Sequence, residues 1–373
     1  MSKQREFHFF DNLLSVSNGY NDICANLYLN WPLSTVKVNL LLITSIAIQK
    51  KLRRYMTKIS NNYVLAADIG GTNTRMAVVN ENGDILTLLK KTTYCEDGRE
   101  EMIKFIVSCA GETIEKSKLS KDKICGMGIG FPGPLNAETG TIFNPPNLQG
   151  WDSVPLRYIL EKELKVPVAI ENDANAAALG EWWKGAGSGT GSLFCITLGT
   201  GVGGGIILDG KVWHGASSIA GEIGHTTVIR DGIQCTCGNI GCLEAYACSG
   251  GILKRVNDAL LEGGGSGSVE PLTNLKQVDA MVMQGNEIVL NVIKETGVIL
   301  GIAIANIANL LNPEMVVLFG GVTNLGEHLV EPLKDEVKRR AFKKATESLR
   351  IELSQLGDNS GVLGAARTIL SKL

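Results

Sequence analysis

Two stretches of this chain follow one plan. From Tyr63, "YVLAADIGGTNTRMAVVNENGDILTLLKKTTY" reads as an apolar strand closed by two glycines, a second strand, an Asn-Gly turn and a third strand. From Ser192 to Val212, "SLFCITLGTGVGGGIILDGKV" repeats the order: strand, Gly/Thr turn, strand, Asp-Gly turn, strand. Placing Gly70 on Gly199 sets Asp68 opposite Thr197 and "MAVVNENG" over "GGIILDG". The opening strand of each copy is a continuous apolar run, as expected where both faces of a sheet are covered. A chain that starts twice in this way predicts two similar domains with a cleft between them.

The rest of the sequence alternates strands with helices, which gives an α/β architecture. "GREEMIKFIVSCAGETIEKS" is a helix, "ICGMGIGFPG" and "VPVAI" are strands, and "ANAAALGEWW" is a good helix former. The long helical "EIVLNVIKETGVILGIAIANIANLLNP" feeds the strand "EMVVLFGG". A length of 373 residues leaves room for two full cores. The expected division is an N-terminal extension over 1–60, an N-terminal α/β domain over 61–185 and a C-terminal α/β domain over 186–373. The last helix is expected to pack back on the first domain.

The extension carries one apolar run, Val38 to Ile48, followed by "QKKLRR". Eleven residues fall short of the roughly twenty that a spanning helix needs. The basic cluster follows the run, the reverse of a secretory signal. The working chain is therefore expected to begin near Met56 with the extension dispensable, and no membrane partner is expected. A formal charge of −2 provides no broad basic face, so nucleic acid is not expected as a partner either. Nine cysteines without a leader point to a reducing cytoplasm rather than a disulfide framework. Cys24, Cys95, Cys109, Cys125, Cys195 and Cys248 read as scattered buried thiols, and Trp182, Trp183 and Trp213 as packing residues. His8, His214 and His328 belong to no ligand set in the sequence.

Three kinds of motif carry chemistry. In "DIGGTNTR", Asp68 closes a buried strand, where it can hold a metal or its waters. The backbone N–H groups of the turn at Gly70 and Gly71 can wrap a phosphate, with Thr72, Asn73 and Arg75 in reach of its oxygens. "LGTGVGGG", with Thr200 and Gly201, offers the same device from the second copy; either alone could be a plain tight turn. In "ENDANAAALGE", Asn172 and Asp173 fall between a strand and a helix. Both residue types are common helix caps. The same place is where an open α/β sheet presents ligands, and an Asp there can act as general base.

The third motif spaces His225, Cys235, Cys237 and Cys242 as H-x9-C-x-C-x4-C, a Cys3His set suited to a closed, structural tetrahedral zinc site. Such a site contributes on the order of 10 kcal/mol to ordering its loop. Glu222 and Glu244 flank it, so the metal would pin two carboxylate-bearing segments together, an arrangement suited to a polyhydroxyl ligand.

With "GIGFPGPL", "NPPNLQGW", "GEIGH" and "CTCGNIGCLE" added, all in family order, the chain from about Tyr63 resembles the ROK family (repressors, open reading frames and kinases), in particular its glucokinase-like sugar kinases. The resemblance implies a duplicated actin-like, hexokinase-type (ribonuclease H-like) fold, a homodimer or homotetramer, and closure over ATP, Mg2+ and a hexose. It implies Asp173 as the base for the acceptor hydroxyl, and Asn172, Glu222, His225, Glu244 and the Gly133 backbone as sugar ligands. Asp68, Gly70, Gly71, Thr72, Thr200 and Gly201 would line the phosphate and Mg2+ region, and Gly320 and Gly321 the adenosine. Glucose is the expected substrate, with N-acetylmannosamine, N-acetylglucosamine or fructose as alternatives. A sugar-sensing transcriptional regulator shares the pocket, but the segment before the first strand lacks paired amphipathic helices around a turn.

Overall fold

The computed structural model describes residues 63–93, 98–145, 148, 150–263 and 270–373. The extension over 1–60, with the run Val38–Ile48, Cys24, His8 and the start at Met56, lies outside them, as do Cys95, part of "NPPNLQGW" and the glycines that follow Gly263.

The first half of the described chain runs β1 (Tyr63–Ile69), β2 (Asn73–Asn80), β3 (Ile85–Thr92), α1 (Arg99–Ser117), β4 (Ile124–Phe131), the short pair β5 (Leu135–Asn136) and β6 (Thr141–Ile142), then α2 (Leu156–Leu164), β7 (Val168–Asn172) and α3 (Asp173–Lys184). The second half runs β8 (Ser192–Leu198), β9 (Val202–Leu208), β10 (Lys211–Val212), α4 (Glu244–Ala247), α5 (Ser249–Gly263), α6 (Leu275–Met283) and α7 (Glu287–Leu311). It ends with β11 (Met315–Phe319), α8 (Glu327–Arg340), α9 (Lys343–Ser348), β12 (Arg350–Leu353) and α10 (Ser360–Leu370).

Two five-stranded sheets result, ordered β3-β2-β1-β4-β7 and β10-β9-β8-β11-β12. In each, the first three strands form an antiparallel meander and two parallel strands extend the far side of the opening strand. The topologies are the same, so the duplication legible in the two hairpins holds for whole sheets. Asp68 and Thr197 occupy the same place, one residue before the end of β1 and of β8. This is the duplicated α/β, actin-like architecture.

The outer face of the first sheet packs Leu65, Met76 and Val78 against Met102 and Ile106 of α1 and Leu156 and Leu160 of α2. On the second sheet, Ile196, Leu198, Val316 and Leu318 meet the apolar stripes of α5, α7 and α8. Among the described residues α7 alone is long and apolar enough to cross a bilayer, and its apolar side chains fill this core.

The inner faces are covered crosswise. α3 leaves the first sheet at β7, yet its Ala178 and Leu179 pack on Cys195, Ile207 and Val317 of the second. α10 follows the last strand of the second sheet, yet Val362, Ala365, Ala366 and Ile369 pack on Val64, Ala66 and Ala77 of the first. The two helices cross where side chains vanish: a Cβ on Gly364 would lie 1.6 Å from Ala176 O, and one on Gly180 2.1 Å from Ser360 O. The buried carboxylate of Glu181, in α3, accepts hydrogen bonds from the hydroxyls of Ser354 and Ser360. A buried carboxylate is tolerated when its oxygens are satisfied in this way.

Trp182 and Trp183 lie under the guanidinium of Arg367 from α10. Trp213 does not pack as the sequence suggested: it is 48 % exposed, because the chain after β10 runs outward over the surface. Cys109 and Cys195 are buried thiols, whereas Cys125 and Cys248 are only partly covered.

Candidate active site and metal centre

Five strand ends, those of β1, β4, β7, β8 and β11, and one loop carry the candidate residues. β7 ends at Asn172, whose side chain caps α3 by accepting from Ala174 N (3.0 Å) and Asn175 N (3.1 Å). Capping occupies only the amide oxygen. The amide nitrogen points to Gly133 O at 3.5 Å, which brings the turn after β4 to the same place. Gly133 has φ 91°, and a Cβ there would meet Pro145 Cβ at 2.6 Å, so the turn needs glycine.

Asp173 opens α3 and accepts from Ala174 N at 2.9 Å. Burial raises its carboxyl to about 6, partly offset by that backbone hydrogen bond, with Glu222 adding to the rise. Asp68 is pushed up further, to about 7, by burial first and by Asp173 second, while Arg75 pulls the other way. These are two desolvated carboxylates within electrostatic reach of one another, each from a strand end. A cleft that holds titratable groups near neutrality is a candidate for proton transfer.

The turns beside them occupy corresponding places in the two sheets. Gly70 N donates to Asn73 O (3.0 Å) and Gly199 N to Gly201 O (3.0 Å), closing equivalent hairpins. Gly71, Thr72 and Thr200 are exposed at their tips, with Asn73 and Gly201 half-buried behind. Arg75 is committed elsewhere: it pairs with Asp358 before α10 and lies 4.0 Å from Asp68. At the end of β11, Gly320 sits against Leu198 O, where a Cβ would approach to 2.3 Å. Gly321 helps to line a cavity of about 480 Å3 with Asn274, Leu275, Lys276 and Asn324.

The loop over 213–242 brings the remaining residues. Glu222 precedes the short turn Ile223–His225, which lies on β9 so closely that a Cβ on Gly224 would come within 2.0 Å of Val202 O. Glu222 is raised by desolvation and by Glu244, with His225 opposing. Glu244, at the start of α4, accepts from Val202 N at 2.9 Å. Ser249 Oγ donates to Gly199 O at 2.8 Å. The second hairpin is thus tied from two sides to α4 and α5, the helices that follow the loop.

His225, Cys235, Cys237 and Cys242 converge, with their ligand atoms all within 4.8 Å of one another. Cys237 Sγ lies 3.7 Å from Cys242 Sγ, and Cys235 Sγ 3.9 Å from His225 Nδ1. Tetrahedral zinc with sulfur near 2.3 Å sets ligand pairs about 3.8 Å apart, so the spacing fits. The donor chemistry fits too. Burial and the neighbouring thiols push Cys242 up to about 12, so a divalent cation is what would let it bind as a thiolate. Gly241 (φ 72°) makes the path possible: a Cβ there would sit 1.6 Å from Ile229 O. Since His225 faces the sulfurs through Nδ1, its Nε2 is left for another partner.

One pair had no signal in the sequence. His214, which stood without company there, lies 2.9 Å through Nε2 from Oε2 of the buried Glu171. The two are 43 residues apart and meet only through the fold.

Residues 64–372 match the ROK family, and the chain belongs to it. A glucokinase from Halalkalibacterium halodurans is 37 % identical over 82 % of this chain and 94 % of its own length. A xylose repressor from Caldicellulosiruptor bescii is 32 % identical over 83 % of this chain but 78 % of its own. Among solved structures, a ROK family glucokinase from Streptomyces griseus, in complex with glucose and AMPPNP, is 32 % identical with a TM-score of 0.70, covering 82 % of this chain and 98 % of that one.

Proposed function

We propose that the protein is an ATP-dependent hexose kinase of the glucokinase type, transferring the γ-phosphoryl group to the 6-hydroxyl of glucose. The observation that carries this reading is the pair of desolvated carboxylates at the ends of β1 and β7, Asp68 and Asp173, with Asp173 held near 6. The names of the relatives support it: glucokinases are matched over nearly their whole length, whereas the repressor carries a further fifth that this chain does not match.

Phosphoryl transfer asks a protein for alignment and charge neutralisation more than for covalent help. The hairpins at Gly70–Thr72 and Gly199–Gly201 present backbone N–H groups and hydroxyls to the triphosphate, and the cavity beside Gly321 takes the adenosine. Mg2+, held through Asp68 and its waters, would neutralise the phosphate charge. Asn172, Glu222, Glu244, His225 Nε2 and the Gly133 backbone accept from and donate to the sugar hydroxyls. Asp173 takes the proton of the 6-hydroxyl as its oxygen bonds to the γ-phosphorus and the bond to the bridging oxygen breaks, leaving ADP. His225, Cys235, Cys237 and Cys242 would hold a structural zinc, which would brace the sugar loop without entering the transfer.

The test is ADP release by purified protein with Mg-ATP and glucose, mannose, fructose, N-acetylglucosamine or N-acetylmannosamine. Preference for glucose is expected. Preference for an acetamido sugar would keep the mechanism and change the substrate. Sugar binding without turnover would favour a regulator like the xylose repressor.

A further inference from the structure

The pair between His214 and Glu171 bridges the two halves of the fold. His214 follows β10, the edge strand of the second sheet, and is anchored there: Trp213 N donates to Ile206 O (2.8 Å) and Ala220 N to His214 O (3.1 Å). Glu171 lies in β7, the edge of the first sheet, directly before Asn172 and Asp173. Its Oε1 accepts three hydrogen bonds, from Asn172 N (3.0 Å), Asn175 Nδ2 (3.2 Å) and His214 Nε2 (3.1 Å). The first two partners belong to the turn that presents Asn172 and Asp173. The third is the sole one of the three that comes from the other sheet.

We infer that His214 is a positioning residue: its hydrogen bond to Glu171 fixes the end of β7, and with it Asn172 and Asp173, relative to the second sheet. The consequence for turnover rests on the kinase reading above. Misplacing a reacting group by as little as 1 Å costs on the order of a hundredfold in rate. Here the misplacement would arise at the peptide between Glu171 and Asn172, one residue from the proposed base.

The surroundings make the bond a strong one. Glu171 is 4 % exposed, so its carboxylate has little water to turn to, and a charge-assisted bond in such a place is stronger than a neutral one. The ring itself borders a cavity of about 600 Å3 and stays in exchange with solvent. The charged groups that line the same cavity are Lys211 in β10, Arg367 in α10, Lys372 beyond its end, and Glu138 after β5. The hydrogen bond that the ring donates to Glu171 raises it above its usual value near 6.5, against burial and Lys372.

The experiment compares wild type with His214→Ala, His214→Gln and Glu171→Gln for kcat, KM for ATP, calorimetric affinity for glucose, melting temperature, and the imidazole titration by 15N NMR. In His214→Ala, kcat should fall by roughly tenfold to a hundredfold and glucose affinity should weaken, with KM for ATP unchanged. His214→Gln keeps a donor of similar reach and should recover most of both. The His214 ring should titrate above 6.5 in wild type and return to it or below in Glu171→Gln. Wild-type kcat and glucose affinity in His214→Ala would overturn the inference. An equal loss in His214→Gln, or a ring that titrates normally in wild type, would do the same. The titration and the binding do not depend on turnover. Absence of phosphoryl transfer to every sugar by wild type, with the binding and titration results as expected, would sink the kinase reading and leave the positioning role standing.

Discussion

At the residue scale, Asp173 carries two opposed demands, and both can be measured. As a base it must be ionised, yet burial holds it near 6. The value of kcat/KM should therefore fall as pH drops below about 6, in step with protonation of Asp173. Asp173→Asn should lower kcat by about a hundredfold or more while glucose still binds, because the amide keeps the shape and loses the basic oxygen. Unchanged turnover would remove it as base. The same shift has a stability sign. A carboxyl raised on folding favours the native state fully only below its unfolded value, here 3.8, and that contribution is lost as pH rises through about 6 for Asp173 and about 7 for Asp68. In protein free of ligands and Mg2+, Asp173→Asn should thus melt above wild type at pH 8, with the gap closing towards pH 4. A gap that did not change with pH would mean the carboxyl is not desolvated in solution.

At the element scale, the loop over 213–242 and the crossing of α3 with α10 are the two features that need side chains of defined size or chemistry. If zinc braces the loop, a strong chelator and Cys237→Ser should each release one metal per chain and weaken glucose affinity together. A full complement of zinc with normal affinity in Cys237→Ser would contradict that. For the crossing, Gly364→Ala should cost about 2 kcal/mol or more in urea denaturation, since its Cβ would lie 1.6 Å from a backbone oxygen that cannot move without displacing α3. Much of this was legible in the sequence. Asn-Gly and Asp-Gly turns flanked by apolar runs mark hairpins locally, and the spacing from His225 to Cys242 marks a ligand set, because both signals lie within a few tens of residues. The small residues of "ANAAALGE" and "SGVLGAAR" signal close packing but not the partner, so the crosswise covering of the sheets was not legible beyond a C-terminal helix folding back. Glu171 and His214 lie in separate motifs, and nothing in either points to the other. Trp213 looked like a packing residue by type alone, and its exposure decides against it.

At the scale of the whole molecule, Glu244 links the two ligands that the cleft is proposed to hold. Its Oε2 accepts from Val202 N, and a Cβ on Gly201 would lie 2.7 Å from the same oxygen, so the carboxylate braces the hairpin at Thr200 and Gly201 from behind. The same residue lies two positions after Cys242, in the segment that carries the proposed sugar ligands. Glu222 shares the sugar side, but the turn that follows it packs on β9 through Gly224 backbone rather than through its carboxylate. Glucose binding should therefore order Glu244 and, through Val202, the hairpin that receives phosphate. Coupling between two sites is reciprocal and commonly amounts to about 5- to 150-fold in affinity. Saturating glucose should tighten AMPPNP binding by a factor in that range, and AMPPNP should tighten glucose binding equally, both read by calorimetry. Glu244→Ala should abolish the coupling and weaken both ligands, whereas Glu222→Ala should weaken glucose and leave the tightening of AMPPNP at saturating sugar intact. Equal coupling in wild type and Glu244→Ala would show that the hairpin is set by its own turn and by the Ser249 hydroxyl on Gly199, and that the lobes communicate by another route.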